Sequence, residues 1–262
     1  MAWDPAQYLK FEAERARPFH DLVARIAVES PRRVVDLGCG PGNATATLLD
    51  RWPGAVVRGI DSSPEMIATA QALAGRRLDF AVGEIETWQP DGPVDVIVSN
   101  AALQWVPAHA DLLPRWMGAL TKGGALAFQV PSNVDSGAAA VFRDVAARPR
   151  WAGQLAAVAA SWGPSQSGGV VRHGAEYVDL LAGLGHQVDA WQTTYFHVLP
   201  GDDPVLEWYS GTGLRPFLAA LPETEHAEFR AEVAAGLRAE FPTRSYGTIL
   251  PFRRLFVIAY RD

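Results

Sequence analysis

The stretch VVDLGCGPGN, Val34–Asn43, sets one carboxylate against three glycines. Glycines at that spacing let a backbone approach a nucleotide-like ligand closely. The pattern is G-x-G-x-G, through Gly38, Gly40 and Gly42. A dinucleotide fingerprint, G-x-G-x-x-G, needs its third glycine where this chain has Asn43. Asp36 stands two residues before the first glycine. An acid there makes little sense beside a pyrophosphate. It suits a cationic ligand, such as the sulfonium and ammonium of S-adenosylmethionine. Alone, Asp36 can equally be a structural carboxylate that holds the loop's backbone amides.

More polar residues recur at matching places. Asp61 ends the next apolar run, where a carboxylate can accept both ribose hydroxyls; Ser62 and Met66 follow it and join the candidate set. Glu84 follows the third run and can accept from an adenine amino group, with Ile85 packed on the ring. Asn100 closes the fourth, where a methionine moiety would lie. Each element alone is weak. Four in order, each at the end of an apolar run, form a donor site for S-adenosylmethionine, with S-adenosylhomocysteine as product.

The elements that must position these residues alternate. A helix is expected over 17–28, with Phe19, Leu22, Val23 and Ile26 on one face. Strands are expected at Val34–Leu37, Val56–Ile60, Leu78–Val82, Val94–Ser99 and Ala125–Val130. Helices are expected between them over 43–52, from Ser62-Ser63-Pro64-Glu65 to about Ala74, and over 110–120. Alternation of this kind implies a mostly parallel sheet with helices on both faces. Ligands of such sheets bind outside the strands' C-terminal ends. After Pro131 helices are expected over 138–147, 154–160 and 176–184, with a loop GPSQSGG at 163–169. A sixth strand is expected over 188–199, two or three helices within 200–250, and a last strand over 252–260. No repeat or low-complexity linker divides the 262 residues, so one domain is expected over 1–262.

Composition narrows the classes. Nearly half the residues are apolar, as in a globular chain, and the net charge is -6. Phosphate affinity comes from clustered Lys and Arg, so a nucleic-acid partner is not expected. Cys39 is the single cysteine, which rules out an intrachain disulfide and points to the cytoplasm. MAWDPAQYLKFEAERARP has no apolar core before a cleavage site, and no run reaches the ~20 apolar residues of a membrane span. The six histidines lack metal-ligand spacing, so no metal is expected. No heptad or other association signal is visible, and a monomer is the default.

DLGCGPGN, GIDSSPEMI, NAALQW and FRRLF resemble the class I S-adenosylmethionine-dependent methyltransferases. The likeness is closer to the trans-aconitate methyltransferases, and runs from WDPAQYLKFEAERARP through GTGLRPFL to RRLFVIAY. Glu84 departs from that pattern, where many relatives carry Asp. The resemblance implies a Rossmann-like α/β fold: a seven-stranded sheet, its last strand antiparallel, with a helical cap over the strand C-terminal edge. It implies that residues 1–16 form a lid and that 132–175 and 200–250 are cap insertions. It also implies transfer of a methyl group to one carboxylate of trans-aconitate, giving a monomethyl ester.

That reaction is a displacement at a sulfonium methyl. A carboxylate with a free pKa of about 4 is already ionised at neutral pH, so no residue is expected as general base. Guanidinium groups bind carboxylates bidentately and suit a small trianion. The antiparallel last strand would bring Arg253 or Arg254 to the ligand edge, with Arg254 the stronger candidate. Arg215 in GTGLRPFL lies in the segment that must cross that edge; as a loop arginine it would be merely solvated. Gln104 and Trp105 are candidates to orient and wall the substrate. Tyr8, Phe11 and Arg15 are candidates to close over the donor. Trp208 and Tyr209 fit a cap helix as well as substrate contact. His109 reads as a cap or loop residue and Cys39 as merely small. The alternatives are a methyltransferase for another small acid or natural product, a non-enzymatic S-adenosylmethionine-binding module, and, against Asn43, a nicotinamide oxidoreductase.

Overall fold

A computed structural model describes residues 12–162 and 170–262. The chain starts with helix α1, Glu12–Ala24, which buries Phe19, Leu22 and Val23. It begins before the expected Arg17 and ends before Ile26. Pro18 lies inside it; a proline removes one backbone donor but need not end a helix. Strand β1, Arg33–Leu37, leads to two short helices, α2 (Asn43–Ala46) and α3 (Leu48–Arg51). They replace the single helix expected there. The break falls at Thr47, whose hydroxyl donates to the Ala44 carbonyl at 2.6 Å, a local bond that competes with the helix.

Strand β2 (Val56–Asp61), helix α4 (Pro64–Ala70) and strand β3 (Leu78–Val82) follow. Next come β4 (Val94–Asn100), α5 (His109–Ala119) and β5 (Leu120–Pro131). β5 extends back through Gly123-Gly124, five residues earlier than its expected start at Ala125. Then come α6 (Gly137–Ala146), α7 (Ala152–Ser161), α8 (Gly174–Ala182) and β6 (Gln187–Leu199). The chain closes with α9 (Pro204–Ser210), α10 (Arg215–Ala219), α11 (Glu223–Glu240) and β7 (Thr248–Tyr260). The loop expected at 163–169 lies outside the described residues.

The strands form one seven-stranded sheet in the order β3-β2-β1-β4-β5-β7-β6. Pairs β3–β2, β2–β1, β1–β4 and β4–β5 are parallel. β7 is antiparallel to β5. Arg261 donates to the Gly124 carbonyl and accepts from the Gly123 amide, while the Ser132 amide donates to the Arg253 carbonyl. Numbers therefore rise along one strand as they fall along the other. The Arg261 contacts also explain why β5 reaches back so far. Central β4 buries Val94, Val96, Ile97 and Val98 completely, the continuous apolar run of a strand covered on both faces.

The chain packs as two compact units. The first holds the described residues of Met1–Pro131, His173–Gln192 and Leu255–Asp262; the second holds those of Ser132–Arg172 and Thr193–Arg254. The second unit is built on an aromatic cluster. Phe142 stacks on Phe217 at 5.3 Å, and Trp162 and Tyr209 lie against Phe142 at 4.8 and 5.3 Å. This cluster explains much of GTGLRPFL. Arg215 opens α10 with Pro216 in its first turn, so the stretch is a helix start rather than a loop. A β-carbon on Gly213 would lie 2.4 Å from the Trp162 ring. That glycine makes room for a tryptophan. Gly213→Ala should therefore cost about 1–3 kcal/mol through overpacking. Thermal unfolding should show a lowered midpoint; an unchanged midpoint contradicts this packing role.

Candidate donor site

The site begins where β1 ends. The Gly38 and Cys39 amides both donate to the Ile60 carbonyl, at 2.7 and 3.0 Å. Gly38 has φ 82°, and a β-carbon there would lie 2.2 Å from that of Ala102. Gly40, at φ 56°, faces the other way: a β-carbon would meet nothing within 4 Å. The loop is thus closed on one side by the β4 turn and open on the other. Asp61 locks it. Its Oδ2 accepts from the Gly40 amide at 2.8 Å and its Oδ1 from the Ser63 amide at 2.9 Å. Ser63 caps α4, its Oγ accepting from the Met66 amide at 3.2 Å. Burial raises the Asp61 carboxyl above its ordinary range, against the two amide bonds that lower it. Each oxygen keeps lone pairs for a further donor.

One cleft collects nearly all the expected donor residues. Gly38, Gly40, Asp61, Ser62, Met66, Glu84, Ile85 and Asn100 line it, with Pro41, Ala101, Ala102 and Trp105. Asp36 lines an adjoining recess that shares Gly38, Pro41 and Asn100 with the cleft. Arg15 of α1 lines the recess too, so it sits beside the donor residues. Asp36 is 2% exposed. Its Oδ2 accepts from the Thr45 hydroxyl at 2.6 Å, and its Oδ1 is buried and accepts nothing among the described residues. Burial pushes the carboxyl up to about 7, the Thr45 bond opposing it and Asp61 adding to it. Asn100 Oδ1 is a second buried acceptor with no hydrogen bond among the described residues. Buried polar atoms are normally satisfied, so two idle acceptors around one recess leave a place for a further hydrogen-bond donor.

The other candidates are distributed between the units. Gln104 donates through Nε2 to the Ala101 carbonyl at 2.6 Å, while its Oε1 is buried without a hydrogen bond among the described residues. Trp105 is 40% exposed and walls the cleft, so it is not core. Arg254, in the second unit, is 4% exposed with its guanidinium 4.5 Å from the Phe252 ring centre. Arg253 faces elsewhere and pairs with Asp135. Arg215 is half-buried in the second unit. Tyr8 and Phe11 lie outside the described residues. Trp208 and Tyr209 are buried on α9. His109 is fully buried: Nδ1 faces the Val106 carbonyl at 2.8 Å and Nε2 the Tyr177 hydroxyl at 2.7 Å. A carbonyl only accepts, so Nδ1 carries the hydrogen and Nε2 accepts from Tyr177. Burial and the two neighbouring carboxylates drive the Cys39 thiol well up, which removes it as a nucleophile.

Sequence reasoning missed Thr45 and Ala101. Thr45 lies in α2 and is the sole residue donating to Asp36 among the described residues. Its position nine residues after the acid gives no motif. Ala101 follows Asn100 with φ 54°, the one described non-glycine residue in that region. An alanine carries no signal of such a turn.

The sequence as a whole is 47% identical to a trans-aconitate 2-methyltransferase of Streptomyces avermitilis, over 100% of this chain and 97% of that protein. It is 50% identical to one of Mycolicibacterium gilvum, over 98% of each. The chain belongs to the trans-aconitate 2-methyltransferase family. The methyltransferase domain model matches residues 34–124, β1 to β5 of this family member. The fold is shared with a solved S-adenosylmethionine-dependent methyltransferase of Geobacter sulfurreducens, which contains S-adenosyl-L-homocysteine. The TM-score is 0.54 at 20% identity, with all of both chains covered.

S-adenosylmethionine fits the residues present. Its α-ammonium is a donor of the kind that the idle oxygens of Asp36 and Asn100 lack, and its ribose hydroxyls are donors of the kind that the held carboxylate of Asp61 can still accept. Hydrogen bonds to charged groups contribute about 1.5–3 kcal/mol. Asp61→Ala in this methyltransferase should therefore weaken S-adenosylmethionine binding by about 10- to 100-fold, read by calorimetry. Wild-type affinity would remove Asp61 from the donor site.

Proposed function

We propose that this protein transfers a methyl group from S-adenosylmethionine to one carboxylate of trans-aconitate, giving a monomethyl ester. The observation that carries the reading is the near full-length likeness to enzymes of that name, joined to a donor cleft with matching acceptors at the strand ends. The donor supplies a methyl group on a cationic sulfur. The protein's part is to position. An ionised carboxylate oxygen must be held about 3 Å from the methyl and in line with the leaving sulfur. No residue needs to remove a proton.

In this reading Asp36, Gly38, Gly40, Asp61, Ser62, Met66, Glu84, Ile85 and Asn100 hold the donor. Arg215 and Arg254 bind the carboxylates that do not react. Gln104 and Trp105 orient the acid, and Tyr8 and Arg15 help to enclose it. The net charge of -6 makes such arginines necessary, since a polyanion is otherwise repelled. Arg254 suits that role. A cation on an aromatic face in a buried setting binds an anion strongly, because the local dielectric is low. The protein acts as a cytoplasmic monomer on a small molecule, with neither nucleic acid nor membrane as partner. Among the described residues no helix is long and apolar enough to span a membrane.

The test is methyl transfer to trans-aconitate, cis-aconitate, isocitrate and citrate, with the ester identified by mass. trans-Aconitate should give the highest kcat/KM, and no transfer to any of the four overturns the reading. Loss of one charged contact, as in Arg215→Ala or Arg254→Ala, should raise KM for the acid by about 10- to 100-fold. Affinity for S-adenosylmethionine should stay as in the wild type. Arg254→Lys keeps a buried cation but loses the planar fork, and should show the same sign with a smaller effect. Unchanged KM in all three variants contradicts the arginine assignment.

A further inference from the structure

Asp36 poses a physical problem that donor binding resolves. Its side chain is 2% exposed, one oxygen is held by the Thr45 hydroxyl, and the other is buried without a donor among the described residues. An ionised carboxylate in that setting is costly, because one neutral hydrogen bond does not replace its hydration. A protonated carboxyl is far cheaper to bury. The groups that face Asp36 do not relieve the cost in a simple way. Asp61, at the end of β2, adds repulsion. Cys39, in the glycine loop, is held as a thiol. Arg15 of α1 is the one cationic side chain among the described residues lining the recess. Thr45, Asn43 and Asn100 are neutral.

We propose that Asp36 is a neutral acid in the donor-free protein and releases its proton when the ammonium-bearing end of the donor enters the recess. This rests on the donor-site reading above and extends it. On binding, the Asp36 O–H bond breaks, the proton leaves to solvent, and the carboxylate left behind pairs with the incoming ammonium. The recess therefore recognises a cation by exchange. A ligand that fills the adenine and ribose positions but brings no charge gains nothing from Asp36.

The free protein carries a proton that the complex lacks, so affinity rises with pH until Asp36 is already ionised in the free state. With the carboxyl near 7, binding at pH 6 should expel about 0.9 proton, and affinity should rise about fivefold from pH 6 to pH 7. At pH 6 the ligand's own α-amino group, ordinarily near 7.7–8.0, stays fully protonated. It does not contribute.

The experiment is calorimetry of the full chain at pH 6 in two buffers that titrate near that pH and differ in ionisation enthalpy, phosphate and Bis-Tris. Three probes are titrated: S-adenosylmethionine, S-adenosylhomocysteine and 5′-methylthioadenosine. The first two carry the ammonium; the third carries adenine and ribose without any charge. The two charged ligands should give heats that depend on the buffer, with about one proton released. Methylthioadenosine should give the same heat in both buffers. It contacts the ribose acceptor as the others do, so a proton exchanged at Asp61 would appear with all three probes. Buffer-independent heats for the charged ligands overturn the proposal, and so does equal proton release with methylthioadenosine. Failure of all three to bind overturns the donor-site reading itself. Asp36→Asn, an isostere of the neutral acid, should bind S-adenosylmethionine without proton release; release as large as in the wild type also overturns the proposal.

Discussion

The structure depends on how β1 is allowed to end. Two successive amides, on Gly38 and Cys39, share the Ile60 carbonyl of β2. That pins the loop to the neighbouring strand and leaves no room for a side chain at Gly38, where Ala102 closes in from the turn after β4. Three strand ends are thereby drawn together. Asp61 then fastens the loop from β2 through the Gly40 amide. Its two oxygens are each fixed by a backbone donor, so the carboxylate is oriented before any ligand arrives. Preorganisation of this kind lowers the ordering cost that binding otherwise meets.

Odd electrostatics accompany this closure. Asp36, two residues before Gly38, is buried with one oxygen isolated among the described residues. Asp36 and Asp61 are both raised by burial, and their mutual repulsion adds to it at Asp36. An acidic protein thus keeps two carboxylates in a place that favours neither charge.

The sheet is legible in the sequence because its strands are short apolar runs bounded by turn residues, and parallel strands buried on both faces read that way. The donor residues are legible because each sits at a strand end, and topology gathers those ends. Other features are less so. The β5 start is hidden because Gly123-Gly124 punctuates a sequence, yet Arg261, distant in the chain, recruits both residues into the sheet. The break at Thr47 turns on one hydroxyl rotamer. In GTGLRPFL the glycines suggest a close approach to a ligand. Gly213 instead admits the Trp162 ring, a partner far back in the chain that no local pattern announces. Arg215 and Arg254 stand out by charge and topology. Their surroundings in the second unit, buried for Arg254 and half-buried for Arg215, follow from aromatic packing that sequence does not specify.

The most direct measurement is a crystal structure of the protein with S-adenosylhomocysteine. The ribose hydroxyls should lie within hydrogen-bond distance of Asp61, and the amino-acid end against Asp36 Oδ1 and Asn100 Oδ1. A ligand seated with its ribose away from Asp61 and its ammonium outside that recess would contradict the account.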